Sequence, residues 1–161
     1  DEDVVAALSD AGLVKTSLAI EHGSDYIRNE VIGKKLSRKQ IFEVISLCKK
    51  YKIKTAGYFI IGFPEETCDT LRDQYELMSQ LEVDIKRLFT LVPFPGTRLF
   101  QQVVDDNLFS LRVNLADLWK KPVSLVQNDF LISPYDLSIE ELVEFQSKFN
   151  YKSQRFENSW E

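Results

Sequence analysis

Three short segments, each following an apolar run, set polar side chains where they could do chemistry. They are Glu21-His22-Gly23-Ser24, Gly62-Phe63-Pro64-Glu65-Glu66 and Pro93-Phe94-Pro95-Gly96-Thr97. Each joins a tight turn to a polar group, as a ligand-holding loop does. Bland readings stand beside the chemical ones. Glu21 alone reads as a turn or capping carboxylate. His22 is the only histidine, and as a neighbour of Glu21 on an extended chain it points to the opposite face, into core or solvent. Glu65-Glu66 has the look of an acid–base pair, but a carboxylate at a helix start is a dipole partner, the reading given to Glu66. Cys48 lies on an apolar helical face and reads as a small core residue. Cys68 opens a helix, where a thiol can be activated, yet a core or surface thiol is the expectation. The pairs Lys34-Lys35 and Lys49-Lys50 read as solvated faces, and Tyr58, Phe59 and Phe94 as packing. Neither G-x-x-x-x-G-K nor G-x-G-x-x-G occurs, so the phosphate-cradling loops are absent.

The elements that must position these segments alternate in type. A helical stripe of Val4, Val5, Ala7 and Leu8 stops at Gly12, and Val14 to Ile20 reads as a strand. A short helix spans about Asp25 to Ile32. Ser37 and Gln40 form a capping box for a helix whose face is Ile41, Val44, Ile45 and Cys48. Thr55 to Ile61 is apolar almost throughout, as expected of a parallel strand covered on both faces. A helix from Thr67 to Leu81 buries Leu71, Tyr75, Met78 and Leu81. A third strand runs from Ile85 to Val92, and a helix from Thr97 to Asp105. Strand-then-helix repetition with helix-length crossovers gives a parallel sheet with right-handed connections, and the three polar segments then share its carboxyl-end mouth. From Asn107 to Leu137 no long periodic element appears. Ser138 and Glu141 cap a last helix with Leu142, Phe145 and Phe149 on one face, expected to cover an end or edge of the sheet.

Composition narrows the classes. The 161 residues are 44% hydrophobic and 28% charged, with 11 Phe, 6 Tyr and 2 Trp, which excludes a disordered chain. The longest apolar stretch, Tyr58 to Ile61, is strand-sized, so no membrane span is expected. A net charge of -5 argues against a general nucleic-acid binder. Two cysteines make no disulfide framework and point to a reducing, cytoplasmic setting. Met78 is the only methionine and Asp1 runs straight into a helix pattern, so the chain reads as a segment of a longer protein.

Taken together, AIEHGSDYIRNEVIGKKLS, IKTAGYFIIGFPEET and LFTLVPFPGTRLF resemble, in order and spacing, the second half of a radical S-adenosylmethionine (radical SAM) barrel. The likeness runs from about Asp3 to Gln102 and is nearest to the methylthiotransferase-like and cobalamin-associated Fe-S oxidoreductases. Relatives read G-V-E-S-G-S at the first strand end, where this chain has Ala19-Ile20-Glu21-His22-Gly23-Ser24. The resemblance implies that Glu21 and Ser24 lie at the cofactor's ribose or amino-acid end. His22 replaces the usual Ser and inherits nothing. Ile60, Gly62 and Glu65 match G-x-I-x-G-x-x-E, with Tyr58 in place of its leading Gly. By resemblance Ile60 packs on adenine, Gly62 allows close backbone approach, and Leu91, Val92 and Pro93 hydrogen-bond the adenine edge through their backbone. Lys34, or Lys35 one residue on, takes the place of the basic partner of the cofactor's carboxylate.

The resemblance also implies a [4Fe-4S] cluster on a C-x-x-x-C-x-x-C loop, which Cys48 and Cys68, twenty positions apart, cannot form. The expectation is therefore an α/β half TIM-like barrel over residues 1–106, with βα repeats, and a helical or irregular extension over 107–161. It would be one part of an enzyme using S-adenosylmethionine, a cluster held elsewhere and, in this subgroup, sometimes cobalamin. Such an enzyme abstracts hydrogen with a 5′-deoxyadenosyl radical. The segment's partners would be the small-molecule cofactor and the N-terminal half of the same barrel, and alone it would be inactive. Two other readings stay open: a non-catalytic interaction domain with this fold, and an unrelated (β/α) phosphate-binding enzyme.

Overall fold

The computed structural model describes residues 1–110 and 130–153. Helix α1 (Glu2–Asp10) is capped by the Asp1 side chain and ends at Ala11, after which Gly12 takes φ +92°. Strand β1 (Lys15–Glu21) follows, then the short helix expected over about Asp25 to Ile32, which is a wide π-helical turn (Tyr26–Val31). Helix α2 (Arg38–Lys50) starts at the Ser37–Gln40 capping box, strand β2 is Lys54–Ile61, and α3 (Cys68–Gln80) starts at a Thr67–Thr70 box. Strand β3 (Ile85–Thr90) stops two residues short of Val92. Helix α4 is Arg98–Asp105, and α5 is Ile139–Ser153, opened by reciprocal bonds between Ser138 and Glu141. The irregular stretch expected after Asn107 lies outside the described residues over 111–129.

The three strands are parallel in the order β1-β2-β3. One face of the sheet buries Ile20, Phe59 and Ile61 beneath the helices. Ile41 and Ile45 of α2 and Leu77 and Met78 of α3 complete that core, and Phe130, Leu137 and Leu142 extend it around Ile61 and Leu71. The other face carries Ser17, Ala19 and Arg87 exposed, with Tyr58 and Ile60 half-buried and Tyr58 edge-on to Phe89 at 5.6 Å. Ala56 and Ile85 at the start of this face are buried, and it is the inward face of an α/β, TIM-like partial barrel. Two apolar expectations fail: Tyr75 and Phe94 are exposed. Tyr75 lies at the edge of the α3 stripe, and Phe94 lies in the turn after β3.

Cys48 is buried with Val5 and Ile53, whereas Cys68 is exposed. Burial pushes the Cys48 thiol above its ordinary range. The folded chain therefore keeps that proton where the unfolded chain has lost it, so this group's contribution to stability falls as pH rises past the ordinary thiol value. One thiol, Cys68, should be alkylated rapidly in the native protein and the second only on unfolding, as read by mass spectrometry. Two equally fast thiols would contradict the packing of Cys48.

Candidate functional site at the strand ends

The carboxyl ends of β1 and β2 are brought together by parallel register. Ala19 faces Tyr58, and after an irregularity Glu21 faces Phe59. That irregularity is a γ-turn. The His22 amide donates to Ile20 O at 3.0 Å, and Glu21 between them adopts φ +69°. A positive φ at a non-glycine residue is strained by about 1–3 kcal/mol and concentrates at functional positions. The turn leaves the Glu21 carboxylate 19% exposed and directed to Lys34 Nζ at 2.8 Å, itself 29% exposed. Lys34, not Lys35, is thus the ion-pair partner of Glu21. The pair is half-shielded and still reachable, so it can bind hydroxyl, amino or carboxylate groups of a ligand.

The turn is fixed from behind by buried polar groups. His22 is fully buried against Phe63 in an edge-on contact and bonds Glu66 at 2.7 Å through Nε2. Its Nδ1 accepts from the Ser24 amide at 3.0 Å. Glu66 was expected as a dipole partner in the first turn of α3. Instead it precedes the Thr67 cap, is fully buried, and accepts from the amides of Gly62 and Phe63. A free carboxylate oxygen facing two loop amides outbids the diffuse attraction of a helix end.

Arg28 is fully buried as well. It donates from Nη1 to His22 O at 2.7 Å and to Gly23 O at 3.1 Å, and from Nε to Leu36 O at 2.7 Å, and it pairs with Asp25. Gln74 of α3 accepts from the Gly23 amide. Arg28, Gln74 and the His22–Glu66 pair were not singled out from the sequence as site residues. A basic residue one turn past a strand end was the only available signal for Arg28.

Gly62 is buried at φ +97°, and a side chain there would meet Phe130. Ile60 is half-buried on the inward face. Ser24 is buried, held through its backbone. Leu91 donates its amide to Ile61 O at 2.8 Å, so that donor is engaged within the sheet. The Leu91 and Val92 side chains pack beside Val103 and Leu131, and Pro93 is buried. Glu65 accepts from Gln102 at 2.7 Å through one oxygen, and its other oxygen is buried with no partner among the described residues. No cluster of three or more His, Cys, Asp or Glu among the described residues could hold a metal ion, and no described helix is long and apolar enough to cross a membrane.

Residues 1–78 match the Radical SAM superfamily. An uncharacterized methyltransferase of Pyrococcus horikoshii is 31% identical over 121 residues, 75% of this chain and 25% of that protein. The anaerobic magnesium-protoporphyrin IX monomethyl ester cyclase of Rubrivivax gelatinosus is 29% identical over 65% of this chain and 19% of its own length. The tRNA-2-methylthio-N(6)-dimethylallyladenosine synthase of Shouchella clausii is 28% identical over 93% of this chain and 29% of its own. The chain thus spans between about a fifth and a third of these relatives' lengths. Among solved structures, coproporphyrinogen III oxidase from Escherichia coli, a radical SAM enzyme, superposes with a TM-score of 0.59 at 19% identity, over 79% of this chain and 30% of that one. The superfamily match begins in α1, takes in the strained Glu21 turn and all of β2, and closes within α3, while the solved relative supplies the same parallel βα architecture. These are the elements that build the strand-end cluster, and the chain belongs to the radical SAM superfamily, of whose TIM-like barrel it forms a part.

Proposed function

We propose that the strand ends of β1, β2 and β3 hold the ribose, adenine and amino-acid ends of S-adenosylmethionine, as one part of a longer radical SAM iron–sulfur enzyme. The observation that carries this reading is the strained γ-turn at Glu21, which aims a partly buried carboxylate at Lys34 beside the end of β2. The donor set suits the cofactor. Glu21 accepts from hydroxyl or ammonium groups, Lys34 faces a carboxylate, and Ile60 with Tyr58 offers an apolar bed for a flat ring. Gly62 adds a backbone surface without a side chain. The Leu91 amide is engaged with Ile61, so a β3 contact to adenine falls to carbonyl oxygens and to Val92.

When bound, the cofactor and a reduced [4Fe-4S] cluster supply hydrogen-abstracting radical chemistry. The residues of this chain bind and orient the cofactor and wall the cavity against water. They do not fit the cluster: Cys48 is buried between α1 and α2, and Cys68 lies exposed at the start of α3. In this proposal the cluster thiolates are therefore outside the segment, which is inactive alone. A cytoplasmic setting, suited to two free thiols, completes the proposal. The exposed Ser17, Ala19 and Arg87 of the inward face and the outer side of β1, which pairs with no described strand, favour the other half of the barrel as its partner.

Glu21→Gln keeps the shape and removes the charge. Loss of a charge-assisted hydrogen bond of about 1.5–3 kcal/mol corresponds to roughly 10- to 100-fold weaker binding. Titration calorimetry of S-adenosylmethionine into the intact protein should show that loss, and unchanged affinity would overturn the assignment.

A further inference from the structure

We propose that His22 and Glu66 are positioning residues: a brace that fixes the Glu21 end of β1 against the Gly62 end of β2. The inference rests on the cofactor reading above and extends it to two residues that do not touch the cofactor. Ser24 N–H can only donate, so His22 Nδ1, at 3.0 Å, must be the acceptor. The imidazole is then neutral, with its proton on Nε2, and donates it to Glu66 Oε1 at 2.7 Å. Glu66 Oε2 takes the amides of Gly62 and Phe63. The result is one continuous chain of bonds: the Ser24 amide to imidazole, imidazole to carboxylate, carboxylate to the Gly62 and Phe63 amides. It crosses from one strand-end loop to the next, and both His22 and Glu66 are fully buried.

Every group in the chain has its role set by the next. Glu66 receives three N–H groups, which only a carboxylate can do while offering no proton of its own. In Glu66→Gln the amide oxygen can serve the two loop amides, but its NH2 then faces the imidazole Nε2–H. Moving the imidazole proton to Nδ1 turns it against Ser24 N–H. One donor–donor conflict survives in every arrangement, at constant volume. His22→Asn is the complementary change. An Asn oxygen can still accept from the Ser24 amide two residues on, as in an Asx turn, but does not reach Glu66. The local turn is kept and the link between loops is cut.

The test uses the intact protein and three readouts. Histidine-selective 15N spectra, with the His22 signal identified by its loss in His22→Asn, should show the neutral Nε2–H tautomer. An imidazolium or an Nδ1–H form would overturn the bond order. Hydrogen exchange of peptides covering residues 60–66 should accelerate at least about tenfold in both variants, with α2 protection unchanged. Calorimetry should show S-adenosylmethionine bound at least about tenfold more weakly by both variants. A folded variant with native exchange and native affinity refutes the brace. If the unaltered protein itself does not bind S-adenosylmethionine, the cofactor reading falls. The spectrum and the exchange rates then decide the brace alone.

Discussion

Gly23→Ala is expected to be the most damaging single-methyl addition in the chain. A Cβ on Gly23 would lie 2.4 Å from Gln74 Cα and 2.5 Å from Asp73 O, both backbone atoms of α3. Flexible side chains can swing away from an added methyl, but a helix backbone cannot. Here α3 is also pinned by Leu71, Leu77 and Met78 in the core. Relief needs the β1 turn and α3 to separate, which also breaks the bond from the Gly23 amide to Gln74 and draws Glu21 from Lys34. Overpacking a close-packed site costs about 1–3 kcal/mol and occasionally more, and a contact with backbone on both sides belongs at the top of that range. At about 3 kcal/mol the melting temperature of a chain this size falls by about 6–12 °C. Gly33→Ala is the matched control. Gly33 has φ +76° with nothing within 4 Å of its would-be Cβ, so only backbone strain of about 1–2 kcal/mol opposes the substitution. Denaturant unfolding of the two variants separates close approach from strain. Equal losses would mean that the β1 turn does not touch α3 as described.

The contrast between these glycines shows what the sequence can and cannot disclose. Strand and helix types follow from local patterns that act within one element: the Ser37–Gln40 box, the apolar Thr55–Ile61 run, the Gly12 stop. They survive into the structure within a residue or two. The parallel sheet follows because helix-length crossovers allow little else. Glu21 and Lys34 come from family resemblance, and the structure brings them to 2.8 Å. The buried polar layer behind them was illegible for a physical reason. His22, Glu66, Arg28 and Gln74 are polar residues from four different elements, and each taken alone reads as surface or turn. Their burial rests on partners in other loops, His22 and Glu66 on each other and Arg28 and Gln74 on backbone groups of the β1 end, and a single sequence does not display such long-range pairing. Two strand-end expectations failed for related reasons. Glu66 was read from its own helix rather than from the loop it folds back upon, and Phe94 was read from its apolar side chain although its turn faces outward. The π-helical turn at Tyr26–Val31 has no periodic signature in so short a stretch, yet it is what swings Arg28 beneath the β1 end.

Arg28→Ala should unfold more of the site than any substitution of the residues that face a ligand. The guanidinium fork reaches two loops at once. Nη1 serves His22 O and Gly23 O beside Glu21, while Nε serves Leu36 O, two residues beyond Lys34. Its own backbone carbonyl accepts from the Lys34 amide at 3.0 Å. The Glu21 turn and the segment carrying Lys34 are therefore both tied to one fully buried residue. Truncation strands the His22, Gly23 and Leu36 carbonyls and leaves a cavity, while the backbone bond from the Lys34 amide and the bond from the Leu36 amide to Asn29 remain. Each buried carbonyl left unpaired costs about 1–3 kcal/mol, whereas the ionic partner Asp25 is 72% exposed and returns to solvent on truncation. Arg28→Lys should recover little of this, because a single ammonium on a flexible stem cannot span the His22 and Leu36 carbonyls in a fixed plane. Unfolding of the native, Arg28→Ala and Arg28→Lys proteins checks both statements. Near-native stability in the lysine variant would show that a buried positive charge suffices and that the planar fork is incidental. A lysine variant that stays folded but loses its Glu21–Lys34 geometry should bind S-adenosylmethionine as weakly as Glu21→Gln does. The buried scaffold and the partly buried pair would then be two expressions of one arrangement, in which the strain at Glu21 is held in place by the arginine beneath it.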